Sequence, residues 1–172
     1  VRLEPEVRGK APPLDGVVEI VARTGNDIRP IDCHDPAQRL RLRSYVWPDQ
    51  QARLQRLDAA IGLAGTTPFS VQQADAADFV DRQLSAREPG AALMLFHTIM
   101  WQYLPAATKT TIEAALAAAG AEAGPDTPIA RVTMEPIETS DPHATLSLTV
   151  WPGGETRHLA HCDYHGRWIE WL

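Results

Sequence analysis

Ala144–Trp151 alternates apolar and polar side chains, and this alternation constrains the fold more than any other feature of the sequence. Three aliphatic residues in the segment alternate with three hydroxyl residues, which is the period of two of a half-exposed antiparallel strand. Pro152-Gly153-Gly154 provides a turn, and residues 157–163 are suited to return as a second strand. The chain is therefore predicted to end in an antiparallel β-hairpin.

Before the hairpin, strand and helix patterns alternate along the chain. Ala91–Met100 is an almost continuous apolar run, as expected of a strand that is covered on both faces in a parallel sheet. Pro105 begins an alanine-rich helix that Gly120 ends, and Ile129–Glu135 follows as another strand. Five elements precede this part: a strand over Val17–Thr24, a helix that Asp35-Pro36 begins, a helix from Pro48 to Gly65, a strand over Phe69–Gln73 and a short helix over Ala77–Leu84.

The order of these elements predicts an α/β fold. We expect a Rossmann-like, mostly parallel sheet that is flanked by helices and ends in the hairpin. At 172 residues the chain has the length of one domain, so residues 1–172 are predicted to form a single α/β domain. Residues 1–16 are rich in proline and charge and are predicted to be an irregular arm. Because the sequence begins at Val1 without methionine, we expect it to be a processed form or part of a longer protein.

The composition narrows the choice of partners. A net charge of −6 argues against nucleic acid. No apolar run approaches the roughly 20 residues that a membrane-spanning helix needs, and the charged first ten residues are unlike a signal peptide. The two cysteines, Cys33 and Cys162, imply no disulfide framework. We therefore expect a cytoplasmic protein that binds neither nucleic acid nor a membrane.

Histidine and cysteine recur near the C-terminus in a pattern that resembles a zinc site, His158-x-x-His161-Cys162-x-x-His165. If this segment is extended, His161 and Cys162 point to opposite faces of the sheet. His161 and His165 would then lie about 13 Å apart at ~3.3 Å per residue, whereas the ligands of one zinc ion meet within roughly 4 Å. No metal site is therefore predicted, and His165-Gly166 is interpreted as a turn.

Several blocks of the sequence, spread over residues 17–172, resemble one bacterial family, known as domain of unknown function 2332. The blocks are Gly25-x-Asp27-x-x-Pro30-Ile31-Asp32, the segment from Arg41 to Ile61, Gln73-Ala74-Asp75-Ala76, Phe96-His97-Thr98 with Tyr103, and His165-Gly166-x-Trp168-x-x-Trp171-Leu172. Residues 45–50 are the most specific of them. The family in turn resembles S-adenosylmethionine-dependent methyltransferases and carries a glycine-rich cofactor segment upstream. Since that segment is absent here, the chain is expected to correspond to the C-terminal half of such a protein.

The methyltransferase resemblance implies sites for S-adenosylmethionine. Asp27 follows the first predicted strand, where an acid accepts hydrogen bonds from the ribose hydroxyls of the cofactor, and Asp32 is a competing candidate. Asp75 follows the next strand and corresponds to the acid that holds the adenine amino group. The alternative for Asp27 is a carboxylate that caps its own turn, and the alternative for Asp75 is a helix N-cap.

The resemblance also implies a site for the acceptor of the methyl group. His97 lies near the carboxyl end of the most apolar strand and could act as the general base, with Thr98 and Tyr103 as substrate contacts. The alternative for His97 is a buried structural histidine. Two functions therefore stay open: a methyltransferase-like enzyme with an unknown acceptor, and a non-catalytic module that binds a small molecule or a protein. Self-association through an exposed sheet edge is a further expectation.

Overall fold

The computed structural model describes residues 1–67 and 69–172. These residues form two compact units, each with a sheet of its own. The N-terminal unit comprises Val1–Leu3 and Val17–Asp75, and the C-terminal unit comprises Glu4–Gly16 and Ala76–Leu172. The organisation of residues 1–172 as a single domain stays a prediction.

Eight strands and four α-helices make up the described residues. The strands are β1 (Glu6–Gly9), β2 (Thr24–Asp27), β3 (Ser70–Gln73), β4 (Leu93–Thr98), β5 (Ile129–Glu135), β6 (Ala144–Trp151), β7 (Glu155–Cys162) and β8 (Trp168–Trp171). The helices are α1 (Pro36–Arg43), α2 (Gln51–Ala64), α3 (Ala76–Ser85) and α4 (Ala106–Ala121), and a short 3-10 helix spans Trp101–Tyr103. No helix among these residues is both long and apolar enough to cross a membrane.

The N-terminal unit holds a two-stranded parallel sheet, β2 and β3. The strand predicted over Val17–Thr24 is wrong: the chain becomes a strand only at Thr24, and its last residue, Asp27, pairs with Gln73. The start of α1 is confirmed, because the Asp35 side chain accepts a hydrogen bond from the Ala37 amide at 2.8 Å. This bond occupies one of the amide donors that every helix leaves free at its N-terminus.

The C-terminal unit holds a six-stranded sheet in the order β1-β8-β7-β6-β5-β4. The pairs β1–β8 and β4–β5 are parallel, whereas β5–β6, β6–β7 and β7–β8 are antiparallel. The prediction of a mostly parallel sheet is therefore wrong, and the sheet is mixed; a Rossmann-like topology is not confirmed. The error arises because β2 and β3, which were expected to belong to the same parallel sheet, form a sheet of their own. In addition, β8 adds an antiparallel pair, and residues 6–9, expected to be irregular, form β1.

The C-terminal hairpin is confirmed. Strands β6 and β7 are joined by Pro152-Gly153-Gly154, and both glycines have positive φ, 116° and 73°, which side chains with a Cβ rarely tolerate. The turn predicted at His165-Gly166 is also present: Gly166 has φ 71°, and its amide donates to the Asp163 carbonyl at 2.9 Å. The chain therefore reverses twice within a short span and places β8 beside β7.

Helix α4 covers one face of this sheet. Trp151 lies against Gly120 of α4, and Trp151 pairs through Ile129 with Leu93, so these three residues share that face. Along β4 the residues on this face, which include His97, are half-buried, whereas Met94 and Phe96 on the opposite face are 58% and 71% exposed. Within the C-terminal unit, this strand is therefore covered on one face, and not on both faces as was predicted.

Candidate functional site

Glu135, the last residue of β5, binds the loop that follows β4. Its Oε1 atom accepts three hydrogen bonds: from His97 Nδ1 at 2.8 Å, the Met100 amide at 3.0 Å and the Trp101 amide at 3.1 Å. Between them Ile99 has a φ of 49°, a left-handed conformation that is costly for a β-branched residue. The hydrogen bonds to Glu135 offset this cost, and they fix the loop.

The His97 imidazole is held from both sides. Its Nδ1 donates to Glu135, and its Nε2 accepts from Arg131, at 3.1 Å from Nη2 and 3.3 Å from Nε. Because Nε2 accepts while Nδ1 donates, the geometry fits the neutral imidazole with its proton on Nδ1. Burial lowers the pKa of His97, the hydrogen bond to Glu135 opposes that shift, and the Arg131 charge adds to it.

Trp101 completes this cluster on the 3-10 helix. Its indole stacks on the His97 ring with centroids 5.2 Å apart and an interplanar angle of 18°. The Arg131 guanidinium lies over the same indole, 4.4 Å from the ring centroid, a cation–π contact. His97, Arg131 and Glu135 are thus locked in place by Trp101 and by one another, so the cluster is preorganised.

A cavity of about 170 Å³ adjoins this cluster; we call it the Glu135 cavity. Its lining residues are Trp101, Gln102, Lys109, Glu135, Pro136, Ile137 and Thr139. The side chain of Glu135 is only 11% exposed. Its Oε2 atom is buried and accepts no hydrogen bond from any residue in ranges 1–67 and 69–172. One oxygen of this carboxylate is therefore fully used, whereas the other has no partner within the described protein.

In the N-terminal unit the carboxyl ends of β2 and β3 lie side by side. Asp27 pairs with Gln73, and the Ala74 amide donates to the Asp27 carbonyl at 3.2 Å. Asp75 follows directly, so both predicted acids occur at the same edge of the parallel pair. The Asp27 side chain is exposed, and its Oδ1 accepts from the Arg29 amide at 2.7 Å, which is the turn-capping role given above as the alternative.

A second cavity of about 600 Å³ lies within the N-terminal unit. Residues 30–34 and 64–67 line it together with Phe69 and Val71. Asp32, the competing candidate for the cofactor ribose, belongs to this lining. Its Oδ1 accepts a hydrogen bond from the His34 amide at 2.8 Å, so this carboxylate also stabilises its own turn.

Over residues 1–171 the sequence matches the family described as "Uncharacterized protein conserved in bacteria (DUF2332)". This chain belongs to the DUF2332 family. Neither the comparison with curated proteins nor the comparison with solved structures gives a match. The family description names no activity, so the methyltransferase interpretation, S-adenosylmethionine and the correspondence to a C-terminal half stay predictions.

The remaining predicted residues of this DUF2332 chain fall into two groups. His97 lies in the cluster, whereas Thr98 is exposed and belongs to the opposite face of β4, since successive residues of a strand alternate. Tyr103 is 76% exposed, and its neighbours Trp101 and Gln102 line the cavity instead. The structure therefore does not bring Thr98 and Tyr103 together with His97. Their roles as substrate contacts stay predictions.

The sequence of this DUF2332 chain did not lead us to predict site roles for Glu135, Arg131 or Lys109. A signal existed for Glu135, which ends a predicted strand next to the strand of His97. The rule that ligands bind at the carboxyl ends of parallel strands applies equally to both. Arg131 and Lys109 carried no such signal, because only the folded chain places them beside His97 and the cavity.

Among the described residues no group of three or more histidine, cysteine or acidic side chains is arranged to hold a metal ion.

Proposed function

We propose that the C-terminal unit binds a small organic molecule in the Glu135 cavity, through a hydrogen bond from the ligand to Glu135 Oε2. One observation carries the proposal: Oε2 is buried without a partner in the described chain, although Oε1 of the same carboxylate accepts three hydrogen bonds. A buried acceptor without a partner costs about 1–3 kcal/mol. A ligand that donates to this atom recovers that free energy when lining side chains move to admit it.

A purely structural role for Glu135 accounts for only half of this geometry. Anchoring the loop after β4 requires one acceptor, and Oε1 provides it. A glutamine could supply the same acceptor. The charge of Glu135 also acts on Arg131, which bonds to the other side of His97, but none of these contacts uses Oε2, and a buried polar atom without a partner is costly. The carboxylate is therefore better explained by a ligand that carries a hydrogen-bond donor. Convergent polar groups beside a partly apolar cavity are typical of such sites.

This proposal describes a binding module. A role of His97 as a general base would require catalysis in addition to binding. In the present geometry Nε2 accepts from Arg131, so His97 can take a proton from a substrate only after Arg131 moves away. Within the binding function, His97 and Arg131 act as positioning residues that hold Glu135 and Trp101.

Glu135→Gln is the sharpest test of the proposed function. The amide oxygen can still accept the three hydrogen bonds that Oε1 accepts, whereas the amide nitrogen replaces Oε2 by a donor. In a screen of small amines, alcohols, amino acids and carboxylates by thermal unfolding and calorimetry, we expect ligands that donate hydrogen bonds to bind the native chain. Glu135→Gln should weaken their binding by about tenfold or more, which is about 1.4 kcal/mol.

Glu138→Gln is the matched control, because Glu138 is exposed and lies three residues away. It should leave binding unchanged. If no member of the panel binds the native chain, or if Glu135→Gln binds every member as the native chain does, the cavity is not the ligand site. Circular dichroism establishes that both variants keep the fold.

A second candidate function is supported by the parallel pair β2–β3. Ligands of open α/β sheets bind at the carboxyl ends of parallel strands, and Asp27 and Asp75 both occur there. Asp27 Oδ2 accepts no hydrogen bond from the described residues, so one carboxylate oxygen is available to a ribose hydroxyl. These residues fit the nucleoside part of S-adenosylmethionine, which would supply an activated methyl group when bound.

Asp27→Asn tests this second candidate. We expect calorimetry to detect binding of S-adenosylhomocysteine to the native chain, and Asp27→Asn to weaken it by about tenfold, since one acceptor oxygen becomes a donor. Asp49→Asn, another exposed aspartate of the same unit, should bind as the native chain does. Absence of heat with the native chain would remove the candidate, and unaltered binding by Asp27→Asn would remove Asp27 from the site.

A further inference from the structure

Lys109 brings a positive charge to the Glu135 cavity. It lies in the first turns of α4, lines the cavity and is half-buried. Among residues 1–67 and 69–172 its ammonium has no carboxylate within 4.0 Å and no side-chain hydrogen bond. The Glu135 carboxylate and the Lys109 ammonium therefore line one cavity as opposite charges that do not pair with each other.

The partnerless Oε2 atom of Glu135 and the partnerless ammonium of Lys109, which carry opposite charges, define the ligand that suits this small cavity. The ligand offers a cationic donor to Glu135 Oε2 and an anionic acceptor to Lys109, with a short separation between the two groups. A cavity of about 170 Å³ has the volume of about six water molecules at ~30 Å³ each, which suits a molecule of amino-acid size. The indole of Trp101 and the side chains of Pro136 and Ile137 supply apolar wall for a short aliphatic part.

We propose that the Glu135 cavity binds a small zwitterion, a free α-amino acid or a closely related amino-carboxylate, with its ammonium group on Glu135 and its carboxylate on Lys109. The proposal rests on the proposed function and narrows it to one ligand class. A site with both charges rejects a ligand that lacks either group, because one protein charge is then covered without a partner. Discrimination should therefore exceed what the size of the missing group alone would give.

The test compares one zwitterion with its two halves. Glycine, L-alanine and β-alanine are titrated into the full chain by calorimetry, and ethylamine and propionate serve as the amine and the carboxylate alone. Nuclear magnetic resonance of the Trp101 indole N–H locates the binding, assigned through Trp101→Phe. We expect at least one of the three zwitterions to bind, and each half to bind at least about tenfold more weakly.

Two substitutions separate the two charges. Lys109→Met keeps the length of the side chain and a good helix former, and it should weaken the zwitterion by about tenfold while leaving ethylamine unchanged. Glu135→Gln should weaken the binding of the zwitterion and of ethylamine and leave the binding of propionate unchanged. Lys10→Met is the control, since Lys10 is the other lysine of the sequence and is exposed outside the cavity.

The outcomes separate this inference from the function on which it rests. If ethylamine binds as tightly as L-alanine and Lys109→Met changes neither, the zwitterion is overturned while binding at Glu135 stands. If glycine, L-alanine, β-alanine and ethylamine all fail to perturb the Trp101 indole while another donor of the wider panel does, the ligand class is wrong and the site is right. If nothing perturbs it, both proposals fail.

Discussion

Replacement of Gly120 by alanine is expected to lower the free energy of unfolding of the C-terminal unit by about 2–3 kcal/mol. A methyl group on Gly120 would overlap the indole of Trp151, at 2.5 Å from Nε1 and 2.7 Å from Cγ. Cγ is bonded directly to Cβ of Trp151, so rotation of the ring about the Cβ–Cγ bond leaves this contact in place. The ring is also close to Gly154, where a Cβ would lie 2.9 Å from Nε1.

This effect opposes the intrinsic preference of the helix. Alanine is favoured over glycine inside a helix by about 1 kcal/mol, so propensity alone predicts that Gly120→Ala stabilises α4. Gly62→Ala in α2 is the matched control, because a Cβ there meets nothing within 4 Å. Urea unfolding should show a higher midpoint of the N-terminal unit for Gly62→Ala and a lower midpoint of the C-terminal unit for Gly120→Ala.

A double-mutant cycle tests whether the indole of Trp151 causes the loss of stability in Gly120→Ala. Trp151→Leu removes the ring, so Gly120→Ala should cost little in that background, and the coupling free energy should be about 2 kcal/mol. If Gly120→Ala is equally harmful with and without the indole, the close approach of α4 to β6 at this point is not the cause. A midpoint for Gly120→Ala at or above that of the native chain would contradict the packing itself.

The hairpin was predictable because its signals are local. Alternation over Ala144–Trp151 and the turn at 152–154 act within a few residues, and the strands form as expected. The strand near the N-terminus was misplaced for the opposite reason. Val17 and its neighbours have the side chains that strands prefer, yet residues 24–27 form β2, because they pair with β3 some 46 residues later in the chain. Strand propensity is weaker than pairing and burial.

The mixed character of the sheet also depends on distant residues. β1 pairs with β8, so the first and last strands of the chain lie side by side, and no local pattern reports such a contact. The residues of the candidate site also differ in whether the sequence alone could predict them. His97 follows from the end of an apolar strand, whereas the partnerless Oε2 of Glu135 and the unpaired Lys109 are properties of the folded chain, because each is defined by what surrounds it.

Asp163→Ala is expected to destabilise the C-terminal unit by about 2–3 kcal/mol. Hydrogen bonds to a charged group contribute about 1.5–3 kcal/mol each, and the exposure of the Arg167 side chain offsets part of that sum. The buried carboxylate of Asp163 accepts from the His165 and Arg167 amides at 2.9 and 3.1 Å, and from the Arg167 guanidinium at 2.7 and 3.0 Å. These bonds fix the turn that joins β7 to β8. Without them, the pairing of β8 with β7 and β1 should weaken.

The contact between Asp163 and Arg167 should also change how the stability of the fold depends on pH. The hydrogen bond from the Arg167 side chain is the main cause that holds the pKa of Asp163 well below its usual value of 3.8. A carboxyl group with a lowered folded pKa stabilises the fold above its unfolded pKa, and that contribution is lost as the pH falls through and below about 4. Asp163→Asn should therefore be less stable than the native chain at pH 7 and should lose less stability between about pH 4 and 2. Asp81→Asn is the control, because Asp81 is an exposed aspartate of α3, and its stability should follow the native pH profile. If the profile of Asp163→Asn is parallel to the native one between about pH 4 and 2, Arg167 does not stabilise the charge of the Asp163 carboxylate.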